Sequence, residues 1–96
     1  MEITRHDEQS KGRYEGRIEG REGVAELTYS RIGPKTLTAD HTGVPVDWRG
    51  EGLGQALVER LVADARDDGV RIIAICPFIK AQLRRHPEWS DVMEAG

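Results

Sequence analysis

The chain has 96 residues, a length at which one compact domain (residues 1–96) is expected and a second domain or a repeat array is excluded. Hydrophobic residues make up 38% and charged residues 32%, enough apolar material for one modest core and too much charge for a membrane span. The 14 Lys and Arg against 17 Asp and Glu give a formal charge of -3 with no long block of one sign, so neither nucleic acid nor a membrane is an expected partner.

The opening MEITRHDEQSKG is polar and aperiodic apart from a short extended stretch around Ile3, and it reads as a frayed lead-in or an edge strand. It contains no apolar run of the kind a signal or anchor needs, and the single cysteine, Cys76, has no internal disulfide partner; the cytoplasm is the expected address. His6, His41, His86 and Cys76 are too widely spaced for a recognisable zinc site, and no metal is expected.

RYEGRIE alternates Tyr14, Gly16 and Ile18 with charged residues, and turn residues from Gly20 to Gly23 lead into VAELTYSRI, a hairpin pattern. In the second run Ala25, Leu27 and Tyr29 share one face. Gly33 and Pro34 break it. TLTADHTGV then makes a third extended segment, with Leu37, Ala39 and His41 predicted on one face.

After Pro45 the period changes. Leu53, Leu57, Val58, Leu61, Val62 and Ala65 recur at helical spacing up to about Asp68, and Gly69 is placed to end that helix. VRIIAIC is an apolar run of strand length, read as a strand buried on both faces in the sheet interior. Pro77 suits the first position of a second helix, FIKAQLRR, which His86-Pro87 ends, and Trp89 and Val92 are anchors that fold back over the core. The order β-β-β-α-β-α indicates an α+β fold with one parallel strand pair.

RGEGLG lies at the mouth of the main helix. Such a helix start exposes unpaired N–H groups and the positive end of the dipole, and glycines let an anion approach the backbone. A phosphate-loop reading fails because no Lys-Ser or Lys-Thr follows, and a dinucleotide fingerprint fails because three antiparallel strands precede the motif.

The R-x-x-G-x-G pattern at Arg49–Gly54, with HTGVP before it and CPF and HPEW after it, resembles the GNAT superfamily of acetyl-CoA-dependent N-acetyltransferases. More narrowly, it is similar to a short stand-alone branch consisting of little besides a minimal core. The resemblance implies acetyl-CoA as co-substrate. It implies that the backbone of Arg49, Gly50, Glu51, Gly52, Leu53 and Gly54, with Gln55, holds the CoA pyrophosphate, and that Val44 and Val46 offer backbone groups to the pantetheine arm.

Acetyl transfer needs a deprotonated amine and a proton for the departing thiolate. Cys76, at the start of the second helix, is a candidate acyl acceptor or acid, against the plainer reading of a small residue filling a core strand end. The short branch has a cysteine at the matching position. His41 is a candidate base, against a hydrogen-bonded histidine beneath the sheet edge. His86 fits a helix-capping role better than a chemical one. Many family members place a tyrosine acid after the strand equivalent to VRIIAIC, where this chain has Phe78. Lys80, Arg84 and Arg85 suit either a nucleotide phosphate or a solvated helix face. Larger members of that family carry helices near the N-terminus that help wall the acceptor site, and because this chain has room only for strands and turns before residue 45, the resemblance implies an open acceptor side. That suits a protein side chain, a chain terminus or a polyamine as the amine, for an enzyme that is a monomer or small homo-oligomer. The alternative is a CoA-binding module with little catalytic activity.

Overall fold

Period-two alternation dominates the first half of the computed structural model, which describes residues 1–94. Four strands follow one another, Glu2–Asp7 (β1), Lys11–Arg17 (β2), Ala25–Gly33 (β3) and Thr36–Gly43 (β4), each antiparallel to the one before. The polar opening is therefore a full six-residue edge strand, and four strands rather than three precede the first helix. Two side chains hold it down. Ile3 packs against the core, and the Arg5 guanidinium lies 5.9 Å from the ring centres of both Tyr14 and Tyr29.

Tyr14, Ala25, Leu27, Tyr29, Leu37 and Ala39 are buried on one face of the sheet. A β-bulge then interrupts β4: Thr28 pairs with His41 and Tyr29 with Ala39, which leaves Asp40 as the extra residue. Its carboxylate accepts hydrogen bonds from the hydroxyls of Ser30 (2.5 Å) and Thr38 (2.8 Å), fixing the bulge. Alternation reverses beyond it. His41 thus leaves the face of Leu37 and Ala39, where unbroken alternation predicts it, and stands exposed on the other side opposite Thr28.

Leu53–Asp68 (α1) lies across the apolar face and buries Leu57, Val58, Leu61, Val62 and Ala65, each Leu or Val contributing about 1.5–3 kcal/mol by leaving water. Gly69 ends it in the left-handed conformation (φ +68°), its N–H turned back on the carbonyls of Ala65 and Arg66. The chain then returns as Arg71–Ala74 (β5), parallel to β4, and continues into Pro77–Arg85 (α2), with Pro77 in its first turn.

The sheet order is β1-β2-β3-β4-β5, so β5 is an edge strand and not an interior one. Of its apolar run, Val70 and Ile72 enter the core while Ile75 is 54% exposed. The open edge is covered by the C-terminal segment, because the Glu94 N–H donates to the Ile72 carbonyl (2.9 Å) and the Arg71 guanidinium to the Met93 carbonyl (2.8 Å). A 3-10 turn over Pro87–Val92 buries Trp89 and Val92, as the sequence leads one to expect, and Asp91 accepts two hydrogen bonds of 2.8 Å from Arg66 on α1. No helix among the described residues is long and apolar enough to cross a membrane.

Candidate active site

β4 and β5 pair from Thr36 opposite Arg71 to Ala39 opposite Ala74 and then part. At the parting point the N–H groups of Ile75 (2.9 Å) and Cys76 (3.3 Å) both turn to the one carbonyl of Ala39. The bulge at Asp40 bends β4 away there, and Pro77 sends the other chain into α2. Beyond Ala39, the β5 side of β4 has no strand partner among the described residues.

β4 is followed by Pro45 and a 3-10 turn, Val46–Trp48, in which the Trp48 N–H donates to the Pro45 carbonyl (2.9 Å). Arg49 (φ -67°, ψ 151°) is extended and Gly50 (φ +88°) then turns the chain in a conformation that favours glycine. Gly52 (φ +73°) caps α1 with no side chain. Among the described residues, the backbone N–H groups of Gly52, Leu53, Gly54 and Gln55 find no acceptor in the fold, and the first returning bond is Ala56 N–H to the Gly52 carbonyl (3.1 Å). A Cβ added at Gly50 or Gly52 would meet nothing within 4 Å, so the space over this backbone is open.

These elements enclose a cleft of about 520 Å³ bordered by His41, Thr42 and Gly43 of β4 and the following Val44, by Trp48 and the loop into α1, and by Phe78 and Gln82 of α2. Phe78 and Gln82 stand one helical turn apart and share a face. Phe78 leans over Gly54, where an added Cβ would come within 2.9 Å of its ring.

Arg49, Gly50, Gly52, Leu53, Gly54, Gln55, Val44 and His41 all border this cleft. Glu51 does not border it, and its side chain turns to Arg21 (2.7 Å). Val46 lies outside, 76% exposed, because Pro45 ends the extended chain before it. Cys76 does not border the cleft either: it is buried at the N-cap of α2, with its sulfur 3.8 Å from the hydroxyl of Thr42, which does border it. Burial pushes the thiol pKa up, but the Ile79 N–H, the Thr42 hydroxyl and the Phe78 N–H near the sulfur outweigh it and hold the thiol below its ordinary value.

His86 ends α2, stacks on Trp89 at 4.0 Å and pairs through Nδ1 with Glu88 (2.9 Å), a structural position. Lys80, Arg84 and Arg85 stand on the exposed side of α2, outside the cleft. Thr42, Trp48 and Gln82 were not legible as site residues. The one available signal was the four-residue spacing of Phe78 and Gln82.

The arrangement combines an anion-receptive backbone with an unpaired strand edge, and comparison with known proteins points the same way. The family model for the GCN5-related N-acetyltransferase matches residues 13–92. Protein NATD1 of Xenopus tropicalis is 26% identical over 82 residues, spanning 85% of this chain and 74% of that protein. The solution structure of a GCN5-like protein from Staphylococcus aureus superposes with a TM-score of 0.72 at 32% identity, covering 99% of this chain and 89% of that one. This chain belongs to the GCN5-related N-acetyltransferase family.

Proposed function

We propose that the protein transfers an acetyl group from acetyl-CoA to an amine. The observation that carries this reading is the meeting of two features on one cleft, the unpartnered amides at the start of α1 and the parted end of β4. Helix-start amides suit phosphate oxygens, and Arg49 beside them adds positive charge. An unpaired strand edge suits an extended arm that carries amides, which docks as an additional strand. The pyrophosphate then lies on the backbone from Arg49 to Gly54 with Gln55, and the pantetheine arm passes Val44, with Val46 too far out to share in it.

In the reaction the amine nitrogen forms a bond to the thioester carbonyl carbon and the carbon–sulfur bond breaks. The amine gives up one proton and the departing thiolate takes one. His41, exposed at the cleft, is placed to receive the first. For the second, the Thr42 hydroxyl stands between the cleft and Cys76, whose lowered pKa makes it a stronger acid than an ordinary thiol. An acetyl adduct on Cys76, seen by mass spectrometry shortly after mixing with acetyl-CoA, would replace direct attack by transfer through the cysteine. The exposed setting of His41 suits an amine presented on a protein side chain, a chain terminus or a polyamine.

One observation favours a second reading, a CoA-binding module of feeble activity: Phe78 borders the cleft and brings no hydroxyl to it. Calorimetric titration with acetyl-CoA, followed by a thiol-release assay over a panel of amines, separates the possibilities. Saturable binding with release above the buffer rate is expected. Binding without release for any amine would leave the module, and no binding would remove both readings.

A further inference from the structure

Two side-chain atoms among the described residues are buried without a hydrogen-bond partner, the indole Nε1 of Trp48 and the amide Oε1 of Gln82, and both residues border the same cleft. Trp48 is 1% and Gln82 6% exposed. A buried polar group left in this state carries its desolvation cost uncompensated, and folds rarely keep one unless something else supplies the missing bond. Here one is a donor and the other an acceptor. They come from different elements, the turn that precedes the loop and the second turn of α2.

We infer that Trp48 and Gln82 are ligand-binding residues that read the amide groups of the pantetheine arm, the indole N–H donating to an amide carbonyl and the Gln82 carbonyl accepting from an amide N–H. This rests on the reading of the cleft as the CoA site and deepens it, because it assigns side chains to a part of the ligand that backbone groups alone would otherwise hold. Phosphate chemistry does not account for the pair. Phosphate oxygens only accept at neutral pH, so they would satisfy Trp48 and leave the Gln82 carbonyl, as it is oriented here, unmet. A secondary amide offers one N–H and one carbonyl, the complement of what the cleft lacks, and the arm carries two.

Calorimetry with two probes tests this: CoA, and adenosine 3′,5′-bisphosphate, which shares the nucleotide and lacks the arm. Trp48→Phe and Gln82→Met are each expected to weaken CoA binding by roughly three- to tenfold, the worth of one hydrogen bond, and to leave the bisphosphate unchanged. The Trp48 indole N–H resonance, identified by its loss in Trp48→Phe, is expected to move downfield with CoA and stay in place with the bisphosphate. Gln82→Met removes the unmet carbonyl at nearly constant volume, so without ligand it should melt no lower than the parent protein. It also keeps the test open should Trp48→Phe fold poorly. Unchanged CoA affinity in Gln82→Met overturns the inference while the CoA site stands, as does an equal loss for both probes. A lower melting temperature for ligand-free Gln82→Met also overturns it, since the carbonyl would then be serving the fold. A parent protein that binds no CoA brings down the reading of the cleft, and this inference with it.

Discussion

The two ends of the sheet treat their buried polar groups in opposite ways. Where β1, β2 and β3 meet the later turns of α1, the phenols are fully engaged: Tyr29 donates to Asp7 (2.6 Å) and accepts from Arg5 (3.3 Å), and Tyr14 donates to Asp64 (2.8 Å). Burial and the bond to Asp64 push the Tyr14 phenol pKa far up, and the Tyr29 hydrogen bond holds Asp7 below the usual carboxylate range. At the other end four helix-start amides, an indole N–H and an amide carbonyl have no partners among the described residues. A chain this short has little stability to spare. That it closes its polar network at one end and leaves it open at the other separates the part that holds the fold from the part we propose as the ligand site.

The contrast breaks most easily at the closed end. Tyr29→Ala empties a fully buried site and takes one hydrogen bond each from Asp7 and Arg5, which keep Arg31 and Asp68 as partners, and we expect a loss of about 3–5 kcal/mol in urea unfolding, a large share of the roughly 5–15 kcal/mol typical of a whole domain. In conditions where that variant is folded, its CoA affinity should match the parent's. A folded Tyr29→Ala protein with much weaker CoA binding would join the two ends that the comparison separates.

Gly52→Val acts at the open end. Its added Cβ meets nothing within 4 Å, on the side assigned to pyrophosphate, and the left-handed backbone at φ +73° resists a β-branched residue. The substitution therefore has two expected effects, a strain of about 1–2 kcal/mol in unfolding and a loss of roughly tenfold or more in CoA affinity, at least about 1.4 kcal/mol. Gly54→Ala separates them, since Gly54 has no left-handed constraint and lies within α1. There the gain in helix propensity offsets the displacement of Phe78, so CoA affinity should fall with little change in melting temperature.

The loop and α1 were legible because their signals are local: glycines at a helix mouth, a 3.6-residue apolar period, and a terminating glycine. His41 shows where local reading stops. Its side of the sheet depends on the bulge at Asp40, which arises from how β4 registers against β3 and is anchored by Ser30 from the other strand. Nothing within TLTADHTG marks it. The placement of β5 at the sheet edge likewise depends on residues near Met93 covering it, a contact made across the chain. Trp48 and Gln82 read as an ordinary aromatic and an ordinary helix polar residue until their surroundings are known.

A smaller effect is expected at Cys76. Removing the Thr42 hydroxyl in Thr42→Val takes away one of the groups that favour the thiolate, so the thiol pKa, followed by ultraviolet thiolate absorbance, should rise from its lowered value toward the ordinary one. The sign for stability follows. Because the folded thiol ionises below the unfolded one, ionisation favours the folded state. That contribution is complete above the unfolded value, shrinks as the pH falls through the folded one, and should be smaller in Thr42→Val. An unchanged titration would mean that Thr42 does not address the sulfur and cannot link it to the cleft.

The smallest effect sharpens the comparison at the rim of the open end. Glu51 lies within the anion-receptive loop, yet its carboxylate is held by Arg21 at 2.7 Å, with both side chains well exposed (43% and 40%). The Arg21 hydrogen bond lowers the Glu51 pKa, so the carboxylate stays charged throughout the neutral range. Exposed pairs of this kind add little to folding, and Glu51→Gln should melt with the parent protein. It nevertheless removes a negative charge beside the place assigned to two phosphates and leaves Arg21 unneutralised. CoA affinity should therefore rise by about twofold at low ionic strength, and the gain should vanish in high salt as the exposed charges are screened. A decrease in affinity would mean that the Arg21–Glu51 pair braces the loop in its receptive shape, which would extend the closed, fully paired kind of construction into the cleft itself.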